Sequence, residues 1–261
     1  GQVTRNVPSQ FASIQAAITA SGPGDTVMVA PGTYNQSINF QGKAITVQSS
    51  GGPVATTIQG NGILTVVSLI SGETQASTLR GFTVRGGTTG ILIQNASPTI
   101  DNCIIRNNVA PIGVGGAGIR CLALAAGQVA SPLIVNSRIT NNSVTNERGA
   151  GIFVAVDSTG VSAPVIQGCE VDSNYAFGGN NNISMGGGGI ACTRLNAGPG
   201  VLVVTISNCS VHGNSAPLNG GGMRFQNVTA VVTHCRIRDN VVMPNSFSSN
   251  ASGGGVSVSD S

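Results

Sequence analysis

The stretch THCRIRDN, residues 233–240, places a His, a Cys, two Arg and an Asp within eight positions. In a chain with only 8% charged residues, that density looks like an active site. Four other stretches change its meaning: DNCIIRNN (101–108), VNSRITNN (135–142), QGCEVDSN (167–174) and SNCSVHGN (207–214). Their third position holds Cys103, Ser137, Cys169 and Cys209, then Cys235. Their fifth holds Ile105, Ile139, Val171 and Val211, then Ile237. Their last is Asn108, Asn142, Asn174, Asn214 and Asn240 without exception. LRGFTVRGG (79–87) is a looser copy, with Phe82 and Val84 in the apolar slots and Gly87 in the Asn slot.

A second element recurs as Gly, apolar, any, apolar: GILI (90–93), GIRC (118–121), GIFV (151–154), GIAC (189–192), GMRF (222–225) and the start of another copy, GVSV (255–258). Between the two elements lies a short apolar strand, often opened by Pro, as in SPTI (97–100), SPLI (131–134) and APVI (163–166). Each repeat thus reads as three short strands of period-two alternation. The Asn positions are spaced by 34, 32, 40 and 26 residues, too far for a hairpin, and no helical segment intervenes. One coil of a parallel β-solenoid fits, each coil hydrogen-bonding to the next at about 4.8 Å so that like stacks on like. The predicted class is all-β: a right-handed, single-stranded parallel β-helix with an N-terminal α-helical cap. Asn in one file is expected to hold a left-handed corner and to pass amide hydrogen bonds from coil to coil.

Composition agrees. Hydrophobic residues make up 40% of 261, but aromatics only 3%, with no Trp, so the core must be aliphatic. A net charge of +3 from few charges is too weak and diffuse for a nucleic-acid binder. The longest apolar runs, such as ILTVVSLI (63–70), are too short to span a bilayer. The cysteines fall in inward files: Cys103, Cys169, Cys209 and Cys235 in one, Cys121 and Cys192 in another. No C-x-x-C metal spacing occurs, and no metal or cofactor is expected. Free core thiols are favoured over a disulfide framework, with Cys209 and Cys235 the pair close enough to bond.

SQFASIQAAITA (9–20) differs from the rest: with Ser9 as N-cap, Phe11, Ile14, Ala17 and Ile18 share one helical face, a cap over the first coil, and GPGD (22–25) stops it. Coils follow over 26–261, in a single domain spanning 1–261 whose last coil, GGGVSVSDS (253–261), is incomplete. The run FASIQAAITASGPGDTVMVAPGTYNQSINFQGKAITVQSS (11–50), with the later G-I-x-x and SP-x-I-x-N-C-x-I-x-x-N copies, resembles right-handed parallel β-helix proteins of the pectin-lyase-like superfamily, most of all bacterial secreted β-helix repeat proteins. The resemblance covers nearly the whole chain. It implies a fold, and a location outside the cell or on its surface. It does not imply one activity, because that superfamily holds lyases, hydrolases, esterases and non-catalytic surface proteins.

Its catalytic patterns are largely missing. The DFIFG-like stretch of pectin methylesterases does not occur; VHGN (211–214) and RIRD (236–239) are faintly similar to the polygalacturonase G-H-G and R-I-K motifs, but DD is absent. The nearest cluster is Glu170, Asp172, His212, Arg236 and Arg238, all on one outward face, with Glu170 expected to pair with Arg138. A His between an acid and an Arg could do acid–base work, and hydrolysis by the usual route needs two spaced carboxyls. Solvated charges on a sheet face are the favoured reading.

Departures from the repeat are the other candidates. LALAAGQVAS (122–131), AVDSTGVSA (155–163) and TRLNAGPG (193–200) expand one corner in successive coils and should form one lobe. YAFGGNNNISMGGG (175–188) and VMPNSFSSNASGG (242–254) expand another and carry Tyr175, Phe177, Met185 and Phe247, candidates to stack on sugars or a partner. Three functions follow. The favoured one is a non-catalytic secreted or cell-surface structural or adhesive protein, self-assembling through its uncapped end. The others are a lyase or hydrolase acting on an acidic glycan, and a glycan-binding module. The expected partners are another copy of the chain or a polysaccharide.

Overall fold

A computed structural model describes residues 1–157, 159–178, 186–196, 198–243 and 253–259. The chain winds as a parallel β-solenoid. One coil shows the order: Leu133–Val135 lies in the first sheet, Arg138–Thr140 in the second, Ser143–Thr145 in a short extra sheet and Ile152–Val156 in the third. Every strand pairs in parallel with its equivalent in the coils on either side. Among the described residues the second and third sheets have eight strands each, and the extra sheet has five.

Inward residues stack in files. Val47, Leu79, Ile100, Ile134, Ile166 and Ile206 form one, all fully buried. Val84, Ile105, Ile139, Val171 and Val211 form a second. Branched aliphatic side chains suit a sheet packed on its inner face, and the files hold few aromatics, chiefly Phe40, Phe82 and Phe225. The cysteine files are inward as expected, Cys121 and Cys192 flanking Val154, and all six thiols are free.

The Asn file is a continuous hydrogen-bonded ladder. Each Nδ2 donates to the next Oδ1: Asn108 to Asn142 at 2.9 Å, Asn142 to Asn174 at 3.0 Å, Asn174 to Asn214 at 3.0 Å and Asn214 to Asn240 at 2.9 Å. Each Oδ1 also accepts a backbone N–H from the preceding coil, beginning at Gly87, whose N–H reaches Asn108 Oδ1 at 3.0 Å. One detail differs from expectation. The left-handed corner residue is the one before each ladder Asn, namely Asn107, Asn141, Ser173, Gly213 and Asp239, with Gly86 in the same place before Gly87, and φ lies between 53° and 72°. That residue turns the chain, so the Asn that follows points inward. The recurring Gly of the third-sheet motif is the ladder's counterpart. A Cβ on Gly151 would lie 2.5 Å from Gly189 O and 2.9 Å from Asn174 Nδ2, so the side-chain amide fits only against bare backbone.

The N-terminus corrects two expectations. The helix is Ile14–Ala20 with Ser13 as N-cap, its Oγ accepting the Ala16 N–H at 3.1 Å; residues 9–13 are not helical. Phe11 and Gln10 instead donate their N–H groups to the Asn6 carbonyl, closing a turn. A strand, Thr4–Val7, precedes the helix and pairs with Thr26–Val29. The helix therefore sits between the first two rungs, with Ile14, Ala17 and Ile18 buried against the core. Lys43 Nζ ties down its carboxyl end, donating to the carbonyls of Ile18, Thr19 and Ser21 at 2.6–2.9 Å.

Candidate functional site

The second sheet presents two outward files. One runs Thr83, Ile104, Arg138, Glu170, Ser210, Arg236; the other Arg85, Arg106, Thr140, Asp172, His212, Arg238. Both are in register as the sequence implies. Their charges pair differently.

Asp172 is buried although it faces outward. Arg138 forks onto it, Nε to Oδ1 at 2.8 Å and Nη2 to Oδ2 at 3.0 Å, and Thr140 Oγ1 donates to Oδ2 at 2.9 Å. Burial alone would raise the carboxyl pKa, but the hydrogen bonds from Arg138 and Thr140 outweigh it and hold Asp172 below the usual carboxylate range. The same contact raises the pKa of Arg138. Glu170, the expected partner of Arg138, keeps only a 3.4 Å approach to it and accepts instead from His212 Nε2 at 3.0 Å. Arg238 turns to its neighbour Asp239, and Arg236 is exposed. The predicted cluster thus divides: Glu170, Asp172, His212 and Arg138 meet, while Arg236 and Arg238 stand apart on the last described rung of the sheet.

Beside Arg138 lies a cleft of about 260 Å³ walled by Val54, Thr83, Ile104, Arg106 and Thr140. Arg106 and Arg138 face it from adjacent coils, and Arg85 lies one coil beyond Arg106. Five of the chain's 12 basic residues occupy this one face, against two acids, one of them already satisfied by Arg138. Sequence reasoning saw the His–acid group and missed the cleft. The signal was there: Arg85 and Arg106 occupy the same slot as His212 and Arg238.

Tyr175 and Phe177, expected in a loop, lie on the extra-sheet strand Tyr175–Phe177. Their rings pack edge to face with centroids 4.0 Å apart, and Phe177 remains exposed. Met185 and Phe247 lie outside the described residues. The turns at 122–131, 155–163 and 193–200 do join: Val129 bridges Val161, Val161–Ser162 pairs with Val201–Leu202, and Asn196 Nδ2 donates to Asp157 Oδ1 at 2.6 Å. Among the described residues, no group of three His, Cys, Asp or Glu is placed to hold a metal ion, and no helix is long and apolar enough to cross a membrane.

A family model described as "Right handed beta helix region" matches residues 33–261. No curated protein matches the chain. Solved structures similar to it include a pectin methylesterase from Aspergillus niger, 12% identical over 97% of this chain and 92% of that one, with a TM-score of 0.49. A pectin methylesterase from carrot is 10% identical over 100% and 89%, with a TM-score of 0.42. A mannuronic acid specific polysaccharide family 6 lyase from human gut microbiota is 14% identical over 100% and 91%, with a TM-score of 0.31. With its parallel coils, its stacked aliphatic core and a family match over 229 residues, the chain belongs to the right-handed β-helix family.

Proposed function

We propose that this is a non-catalytic secreted or cell-surface β-helix protein that holds an acidic polysaccharide along the outer face of its second sheet. One observation carries the reading: Arg85, Arg106 and Arg138 line successive coils at and beside a cleft, and Arg236 and Arg238 extend the same face. Rungs repeat at about 4.8 Å, comparable to one pyranose ring, so a chain of uronates lying along the axis meets guanidinium groups at sugar-sized intervals. Guanidinium forks suit carboxylates, and the apolar walls at Val54 and Ile104 suit ring faces. The acid best placed for chemistry, Asp172, is committed to Arg138 and Thr140, which supports binding over turnover.

Titration with oligogalacturonate and with neutral dextran oligosaccharides, at low and high salt, tests this. Saturable binding of the acidic chain alone, weakened by salt and by Arg106→Ala, is the expected result. Equal binding of both sugars would sink it. The Glu170–His212 pair at 3.0 Å favours a second reading, a lyase or hydrolase of the same glycan class. Release of reducing ends or unsaturated product, abolished by Glu170→Gln with binding intact, would establish that reading instead.

A further inference from the structure

Arg194 fills an inward slot. Ala123 and Val156 occupy that slot on the two preceding coils, and both are fully buried. The turns beyond it build the small lobe in which Val129, Val161 and Val201 stack on successive coils. The next coil has no such rung. There the chain passes from Gln226 to Thr229 through only Asn227, at φ 56°, and Val228. Arg194 thus stands on the last coil of the lobe, where a cleft of about 530 Å³ opens over the step, walled by Val201, Val203, Val228 and Thr229.

Two donors line this cleft. Arg194 is half-buried; its Nε is enclosed with no hydrogen-bond partner, and its Nη1 reaches the Gly198 carbonyl at 3.4 Å. Among the described residues no carboxylate lies within ion-pair distance of it, and none that lines the cleft is acidic. Asp157, on the preceding coil, accepts from Asn196 Nδ2 at 2.6 Å. The second donor is a main-chain N–H. Leu202 points its side chain inward, only 4% exposed, so it meets the cleft with its backbone. The Val201 N–H turns back to Gly160 O at 3.0 Å, and the next residue along a parallel strand faces the other way. Pairing with Thr229–Thr233 starts at Val203 opposite Thr229, which takes the Leu202 carbonyl and leaves the Leu202 N–H over the step. A guanidinium drawn partly out of water is costly unless an anion meets it.

We propose that this cleft binds a small carboxylate with an apolar body. One oxygen accepts from the terminal nitrogens of Arg194, the other from the Leu202 N–H, and the body lies against Val201, Val203 and Val228. One guanidinium balances one negative charge, which suits a carboxylate rather than a doubly charged phosphate. Valine methyl groups suit a hydrocarbon body rather than a hydroxylated ring. The volume falls within the range of small-molecule sites, about 300–1,000 Å³. The site belongs to the lobe, not to the second sheet, and holds whether or not that sheet takes a glycan.

Titration of the whole chain with benzoate, benzamide and galacturonate, followed by nuclear magnetic resonance, tests this. Benzoate should saturate with a Kd of about 1 mM, as expected for so few atoms, and should move the Leu202 amide resonance. Benzamide has the same shape without the charge and should bind about tenfold more weakly, as expected for loss of one charge-assisted pair. Galacturonate carries the charge on a hydroxylated ring and should also bind more weakly than benzoate. Arg194→Gln should reduce benzoate binding to the level of benzamide. The proposal is overturned if benzoate does not saturate or leaves the Leu202 resonance in place, or if benzamide or galacturonate binds as tightly as benzoate. The three wild-type titrations decide the matter even if Arg194→Gln fails to fold.

Discussion

Arg138 stands opposite Glu170 in the parallel register yet grips Asp172, with two hydrogen bonds of 2.8 and 3.0 Å against a 3.4 Å approach to its direct neighbour. The diagonal wins because Asp172 offers both oxygens to the guanidinium fork while Thr140, its own direct neighbour, donates from the side. Asp172→Asn should therefore lower stability by about 1–3 kcal/mol, the range for a lost hydrogen bond to a charged group. Glu170→Gln, at a half-exposed carboxylate, should cost under about 0.5 kcal/mol. Urea midpoints of the two variants check the contrast.

The same contact sets an acid limit. Asp172 and Asp25 both have folded pKa values below their unfolded ones; for Asp25 the causes are the N–H groups of Gly22 and Val3, then Arg5. Their stabilisation is complete above the unfolded value of about 3.9 and is lost as pH falls through the lower folded values. The urea midpoint should be flat near neutrality and fall below about pH 4. In Asp172→Asn that fall should be shallower.

Asn174 is an inner rung of the ladder. Its Nδ2 also donates to Ile139 O at 2.8 Å, and its Oδ1 takes the Asn142 N–H at 3.1 Å. Asn174→Ala strands these buried groups and should cost about 3–5 kcal/mol. Asn240→Ala, at the far end of the file and partly exposed, should cost less than half as much. Chemical denaturation of the two variants measures the difference.

Gly151→Ala forces a Cβ to within 2.5 Å of Gly189 O. That oxygen belongs to backbone fixed by the Ile152 N–H at 2.8 Å, so it cannot yield. A loss of about 2 kcal/mol or more is expected, readable as a lower thermal midpoint. Gly127→Ala meets no atom within 4 Å and should lose less, its cost coming only from φ 76°.

The thiols should report exposure. Burial pushes Cys103 and Cys121 up to about 12 and raises Cys192 further, while Cys235 is the one thiol that is not fully buried. Timed alkylation read by mass spectrometry should label Cys235 first. Cys103, Cys121 and Cys192 should react only after denaturation.

The solenoid was legible because parallel stacking writes the same residue at the same slot, and five Asn and four Cys repeat without needing their neighbours in space. The register of both outward files followed directly. What was not legible depended on geometry across coils. Arg138 chose Asp172 through the reach of its fork, which spacing does not encode. The corner residue was displaced by one position because Asn occurs at both places, as in Asn107–Asn108 and Asn141–Asn142. Tyr175 and Phe177 were read as loop because the extra sheet has strands of only two or three residues, too short for a period to show. Helix onset differs, Ser13 in place of Ser9, because each serine stands within two residues of an apolar side chain, Phe11 or Ile14, and the turn that bonds Gln10 and Phe11 to the Asn6 carbonyl is not encoded in that spacing.

In the amide seam from Gly87 to Asn240, every unit donates an N–H to its successor, and every asparagine offers its side-chain oxygen to its predecessor. Excising the 32 residues between equivalent points of Asn142 and Asn174 would bring like ends together and leave the seam unbroken. The protein's length is in that sense a modular quantity, adjustable by whole laps of roughly 4.8 Å, while the chemistry of its flanks is edited separately.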